Sequence, residues 1–407
     1  MSRVSHKVRG VALTSFIGAA GLALVACTPP LPPDVLAARA ENQITCQKGD
    51  QVVVLPEDFA GAMLNVNSNL QGVCPEQTVS EGAPGTPSTL EIVDHAPTAD
   101  EIAAFGEACP TAPIVVPIFA YAVSLTYNII GLEGLVFPPE VAAGILNGTI
   151  TNWEDPAIVD ANPGVDLTLL PEISILGLDQ PTGAVEAMTA WLSKEAPSTW
   201  TDGTVGTLPE ATTTFPTSFD LIGEMTLTDG PVSVMPTISA VNNAIPIGTL
   251  PVKDVFIDPT DTGLAKVGAG AMTLTTDASG NIVASPAVGG VPVAENFDLA
   301  ASKVVLAEGT ELIGWPVEGI AHMMVCDDPN DPLPLSTAQY LVRLAGQGGL
   351  ESFGVTPLPE PVRQKTFTPL KVLESFDPEA STASLPADDG AADVTTDDAV
   401  SPAPEAS

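Results

Sequence analysis

The sequence has 407 residues, 45% of them hydrophobic, which is enough for two or three ordinary domains or one large two-lobed body and rules out wholesale disorder. Fifty acidic residues against 13 basic ones leave a formal charge of -37, which repels phosphate backbones and anionic headgroups and excludes nucleic acid as a partner. The three histidines, His6, His95 and His322, are too few for a multi-histidine metal centre or a histidine-based catalytic network, so no metal and no cofactor is expected.

In chain order, Arg3, Lys7 and Arg9 precede the uncharged stretch Gly10 to Ala26, the pattern of an export signal over residues 1–26. That stretch is short and rich in Ala and Gly, which argues against an uncleaved transmembrane anchor. Leu24-Val25-Ala26-Cys27 resembles the bacterial lipobox, which implies a lipid on Cys27 and a body held on the outer, extracytoplasmic face of a bacterial membrane. Residues 27–43 then read as a lipid-anchored linker, opened by the extended Pro-rich TPPLPPD. In that oxidising compartment the remaining cysteines, Cys46, Cys74, Cys109 and Cys326, suggest two disulfides with three possible connectivities. Cys46–Cys74 would be a local staple; buried free thiols are the alternative.

The middle of the chain alternates strand-like and helix-like segments, which predicts an α/β fold. Strands are expected at 114–119, 122–127, 172–177, 232–235, 303–306 and 321–326, and helices at 99–107, 139–146, 183–194 and 336–344. Within 183–194, Val185, Met188, Thr189 and Leu192 follow helical spacing, so Met188 and Trp191 read as core. Residues 258–300, rich in Gly, Thr, Asp and Pro, read as a loop-rich excursion from one lobe, and residues 376–407 as a disordered acidic tail.

Nucleophile-elbow, zinc-protease, P-loop and dinucleotide motifs are all missing from the sequence. Asp327 to Asp331 clusters carboxylates without the Gly and Glu of a calcium loop and reads as a solvated turn. His95 beside Asp94 has no accompanying nucleophile, so a capping role is favoured over catalysis. The chain does not read as an enzyme.

A stronger signal lies in residues 127–164. Tyr127-Asn128-Ile129-Ile130-Gly131-Leu132-Glu133-Gly134-Leu135, then Ala142 to Trp153 (AAGILNGTITNW), Asp155-Pro156-Ala157-Ile158 and Asn162-Pro163-Gly164 resemble, in order, the phosphate-binding protein of the phosphate ABC transporter. Thinner matches at Asp94-His95-Ala96-Pro97, Val241 to Pro246, Trp315-Pro316 and Phe353 to Pro359 extend the resemblance over roughly residues 90–366. The resemblance implies a two-lobed, type II periplasmic-binding-protein-like fold with mixed-sheet lobes and a hinge: lobe 1 over 44–122 and 315–375, lobe 2 over 123–314. Crossovers are expected near Phe119–Tyr121, Gly131, Gly134 and Pro316. It also implies that the strand returning to Cys326 runs beside the one leaving Cys109, which favours Cys109–Cys326. A solute-capturing role beside an ABC permease or another membrane complex follows from the same resemblance.

In that family a buried anion is met by helix N-termini, hydroxyls and one Arg, with one Asp accepting a proton. By resemblance the ligand-binding candidates here are Asp94, Thr182 and Gly183. The segment Leu178-Asp179-Gln180-Pro181-Thr182-Gly183-Ala184 departs from the family pattern: Leu178 stands at the Arg position, Gln180 at the Asp position and Ala184 at the Thr position. Val93 replaces a Ser, and the early Gly-rich Thr-Phe loop has no counterpart in 44–90, where Glu81 would add the wrong charge. An acidic cleft without its Arg predicts weak phosphate binding or none, leaving a different small solute, or a scaffold that has become an accessory envelope lipoprotein.

Overall fold

The computed structural model describes Ala38, Glu41 and residues 43–252, 255–256, 272–286 and 314–372. The signal segment 1–26, Cys27, most of the 27–43 linker, the strand expected at 303–306 and the tail 376–407 lie outside the described residues.

The strands are β1 (Gly49–Val54), β2 (Gln77–Gly82), β3 (Leu90–Val93), β4 (Ile114–Tyr127), β5 (Ser174–Leu178), β6 (Thr213–Phe215), β7 (Pro231–Pro236), β8 (Pro251–Val252) and β9 (Val255–Phe256). They continue with β10 (Thr273–Thr276), β11 (Ile282–Ser285), β12 (Glu318–Val325) and β13 (Thr356–Pro357). Eight of them form one mixed sheet in the order β2-β1-β3-β12-β4-β7-β5-β6, with β13 added on β4. Helices α1 (Ala62–Val73), α2 (Ala99–Gly106), α3 (Pro139–Leu146), α4 (Pro156–Ala161), α5 (Gly183–Glu195) and α6 (Ser218–Leu227) connect these strands. After them come α7 (Thr237–Asn242), α8 (Leu333–Leu341), α9 (Leu344–Phe353) and α10 (Glu360–Thr366).

The sheet curls into two lobes because one strand serves both. β4 pairs antiparallel with β12 through Ala122, then with β7 from Val123 onward. The two strands expected at 114–119 and 122–127 are therefore one. Ala120 and Tyr121 continue the extended run, and nearly every residue of β4 is buried, as in a strand covered on both faces. Gly131 and Gly134 follow the far end of β4, away from the change of partner at Ala122–Val123, where the Val317 carbonyl accepts the Val123 N–H.

Pro117 sits within β4 and has no N–H for the ladder. A bulge solves this: His322 faces Pro117 while Ala321 faces Phe119, leaving Ile118 as the extra residue. The Ile118 carbonyl is taken instead by the buried Gln347 amide at 3.0 Å.

In the second lobe, α3 starts at Pro138-Pro139, where a missing N–H costs nothing, and buries Val141 through Leu146. Trp153, Trp191 and Trp200 are each at most 2% exposed in the same core, joined by Met188. The helix expected at 336–344 begins earlier, at Leu333, and breaks at Val342–Arg343 before α9.

Disulfides join Cys46 to Cys74 and Cys109 to Cys326. Within the excursion expected at 258–300, residues 272–286 form the β10–β11 hairpin. Ala284 packs on Ala120 of β4 and Ile320 of β12, and Asn281 Oδ1 accepts the Val115 N–H at 2.9 Å. The end of the expected linker is docked as well: Glu41 pairs with the buried Arg363, and Arg343 donates to the Gln43 carbonyl at 2.7 Å. Among the described residues no helix is long and apolar enough to cross a membrane.

Candidate functional site

The cleft lies where the turn after β3 meets the start of α5. Thr182 caps α5, its Oγ1 accepting the Val185 N–H at 3.2 Å. The Gly183 N–H, left free by the helix geometry, donates to Asp94 Oδ2 at 2.8 Å. The structure thus brings Asp94, Thr182 and Gly183 together, and in doing so pairs Asp94 with Gly183 and Thr182 with Val185.

Asp94 is engaged at every oxygen. His95 Nδ1 lies 2.9 Å from Asp94 Oδ1, and the Tyr121 hydroxyl donates to the Asp94 carbonyl at 2.6 Å. His95 Nε2 reaches Glu101 Oε1 at 3.0 Å, and Glu101 closes a capping box with Thr98 at the start of α2. Burial works against a charge on His95, but the Asp94 hydrogen bond and the charges of Asp94 and Glu101 outweigh it and raise its pKa to about 9. His95 bridges two carboxylates, while Thr98 rather than His95 caps α2.

Two glycines make this contact possible. A Cβ on Gly183 would lie 2.0 Å from the Asp94 carbonyl oxygen, and one on Gly319 would lie 2.1 Å from the Tyr121 ring. Only backbone fits on either side of Tyr121.

Leu178, Gln180 and Ala184, the residues that depart from the family pattern, line the cleft with Asp94 and Thr182. Asp58 and Ser218, which the sequence reading missed, line it too. Asp58 is the half-buried middle residue of the 3-10 turn Glu57–Phe59, and desolvation pushes its carboxyl up, against the lowering effect of hydrogen bonds from Ser218 and Ser239. Ser218 Oγ donates to Asp58 at 2.7 Å, and the Phe219 N–H at the start of α6 donates to Glu57 at 3.3 Å. The only sequence hint was the Pro56–Gly61 bracket around Phe59, where β1 gives way to α1. Glu81 lies on yet another helix start, accepting the Gly61 N–H at 2.9 Å and the Met63 N–H at 2.8 Å at α1.

The helix starts that could cradle an anion are therefore met by the protein's own carboxylates. Among the described residues no Lys or Arg lines the cleft, and its free space is about 20 Å3, room for about one or two waters.

Comparison with known proteins gives the fold a lineage. Over 263 residues the chain is 23% identical to the phosphate-binding protein PstS 2 of Mycobacterium tuberculosis, covering 64% of this chain and 66% of that one; PstS2 of Mycobacterium bovis matches to the same extent. In sequence the chain is thus similar to phosphate-binding proteins, from which it has diverged widely. It matches just under two thirds of the length of these relatives. Among solved structures, a high affinity periplasmic phosphate-binding protein (PfluDING) bound with phosphate is similar in fold, with a TM-score of 0.52 over 78% of this chain and 93% of that one at 14% identity. The ancestral soluble variant of the human phosphate binding protein gives the same TM-score of 0.52 at 13% identity, covering 78% and 93%. No family model matches the chain. The turn at Asp327–Asp331 closes on itself, with the Asn330 N–H donating to Asp328 at 2.8 Å.

Proposed function

We propose that this protein is a lipid-anchored, extracytoplasmic solute-binding protein, related to the phosphate-capturing component of an ABC uptake system, whose own affinity for phosphate is low. The observation that carries the second half is the Gly183–Asp94 contact, supported by Leu178 at the position where an Arg is expected. A phosphate entering the cleft must displace a carboxylate from the helix start and meets Asp58 and Asp94 with no compensating cation. Losing a buried charge-assisted partner costs about 2–5 kcal/mol.

Titration of inorganic phosphate into the purified protein tests this. Absent or millimolar binding is expected, and micromolar or tighter binding would overturn it. Mass spectrometry of the Cys27 peptide from membranes should find a diacylglyceryl adduct; an unmodified thiol on an intact N-terminal segment would remove the anchor from the proposal.

A second reading is a binding-protein scaffold that captures no solute and acts as an accessory envelope lipoprotein. The complete engagement of Asp94, Thr182 and Gly183 within the protein favours it. It predicts a stable membrane partner in pull-downs and no thermal shift with any small solute.

A further inference from the structure

A second cavity, of about 240 Å3, opens on the other side of the Asp94–Gly183 contact, between α5, the start of β12 and the β10–β11 hairpin. Its floor is apolar, formed by Ala187 and Ala190 of α5, Ala284 of the hairpin and Ile320 of β12. Three carboxyls line it, Asp94 after β3, Glu186 on α5 and Glu318 at the start of β12, together with His95 and the hydroxyls of Thr204 and Ser285.

Glu318 is the unusual member. It is 4% exposed, and its Oε1 has no hydrogen-bond partner among the described residues. A buried acid oxygen without a partner is costly and rare. Burial holds this carboxyl well above the ordinary carboxylate range, which favours the neutral acid while the cavity is empty. Burial also raises Glu186, partly offset by the charge of His95. The one cationic group on the wall, His95, has both ring nitrogens committed to Asp94 and Glu101. Among the described residues no Lys or Arg lines the cavity, and the hairpin contributes no titratable side chain to it. The acids are not grouped for a metal ion: among the described residues no set of three ligand-type side chains stands close enough.

We propose that this cavity is a binding site for a small organic cation, a primary ammonium on a short apolar body, with Glu318 as the acceptor of its charge. The apolar floor suits an alkyl chain, and the Glu318 carboxyl, which belongs to the lining, suits an N–H donor. On binding, the Glu318 carboxyl passes its proton to solvent and the resulting carboxylate pairs with the ammonium, so each cation bound releases a proton. The proposal does not rest on what the interlobe cleft takes.

The test is calorimetric titration of n-butylammonium chloride into the purified full chain at neutral pH, against sodium chloride of equal ionic strength, in two buffers of different ionisation enthalpy. Saturable binding with a buffer-dependent heat is expected. Glu318→Gln should weaken it by at least about tenfold and remove the buffer dependence. Ala190→Leu, which fills the floor and leaves every acid in place, should abolish it. A heat that never saturates, saturation that survives both variants, or saturation without proton release overturns the proposal. Phosphate binding, measured separately, leaves this result unaffected.

Discussion

Gly183→Ala is the sharpest test of the contact that closes the cleft. The new Cβ would stand 2.0 Å from the Asp94 carbonyl oxygen, 2.6 Å from the Tyr121 hydroxyl and 2.7 Å from the Asp94 carbonyl carbon. Two of these three atoms are backbone, so no rotamer change relieves the clash, and α5 must retreat from the β3 turn by about 1 Å or more to restore ordinary contact distances. Such a retreat breaks the 2.8 Å bond between the Gly183 N–H and Asp94 Oδ2. A hydrogen bond to a charged group contributes about 1.5–3 kcal/mol. Overpacking adds about 1–3 kcal/mol. The expected loss is about 2.5–6 kcal/mol, read in urea as a lower midpoint with an unchanged slope. Gly72→Ala is the control: nothing lies within 4 Å of its Cβ, it sits in α1, and the change should stabilise by about 0.5–1 kcal/mol. A Gly183→Ala protein within about 1 kcal/mol of the parent would refute the closed geometry.

The two described histidines set opposite limbs of the stability profile. His322 is buried and neutral, its Nδ1 facing the His95 carbonyl at 2.8 Å and its Nε2 accepting the Ala284 N–H at 3.0 Å; burial lowers its pKa to about 4. The unfolded chain gains that proton first, so stability should fall as pH drops from about 6.5 toward 4, by up to about 3 kcal/mol, and His322→Gln should flatten this limb. His95, raised to about 9, contributes stability fully below about 6.5 and loses it as pH climbs through 9, a limb that His95→Gln should remove. Asp58→Asn should raise stability at neutral pH, because burial penalises the charged form that neutrality demands; a drop would mean that its serine hydrogen bonds dominate. Gln347→Ala leaves the Ile118 carbonyl and the Leu358 N–H unpaired in the core and should cost about 2–4 kcal/mol in denaturant. On loop-closure grounds, losing Cys109–Cys326, which spans 217 residues, should cost about 5 kcal/mol against about 3.5 for the 28-residue Cys46–Cys74 loop, a ranking that single Cys-pair replacements can check.

The fold was most legible where local patterns agree with tertiary packing. The helix at 139–146 announces itself through Pro138-Pro139 and a continuous apolar face, and the motif block at 127–164 carries a family resemblance. The first lobe was opaque for a physical reason. α1 reads AMLNVNSNLQGV, with three asparagines that favour turns, and β3 spans only Leu90–Val93, so packing rather than propensity holds both. Asp94, Thr182 and Gly183 could be singled out by resemblance, and they do converge. Asp58 and Glu318 could not be found, because one acid among 50 has no local mark; burial makes them unusual, and burial is a property of the assembled chain.

The docking of Glu41 and Gln43 onto Arg363 and Arg343 has a geometric consequence for a protein held at Cys27. The stretch from Cys27 to Glu41 can reach no farther than about 50 Å even when fully extended. The body would then be leashed at a fixed point on the α9–α10 face, close enough to the bilayer that it could not tumble freely. A short leash fixed at one spot gives the molecule a near side and a far side, so the openings of its two cavities would meet any neighbouring membrane complex from a restricted range of directions.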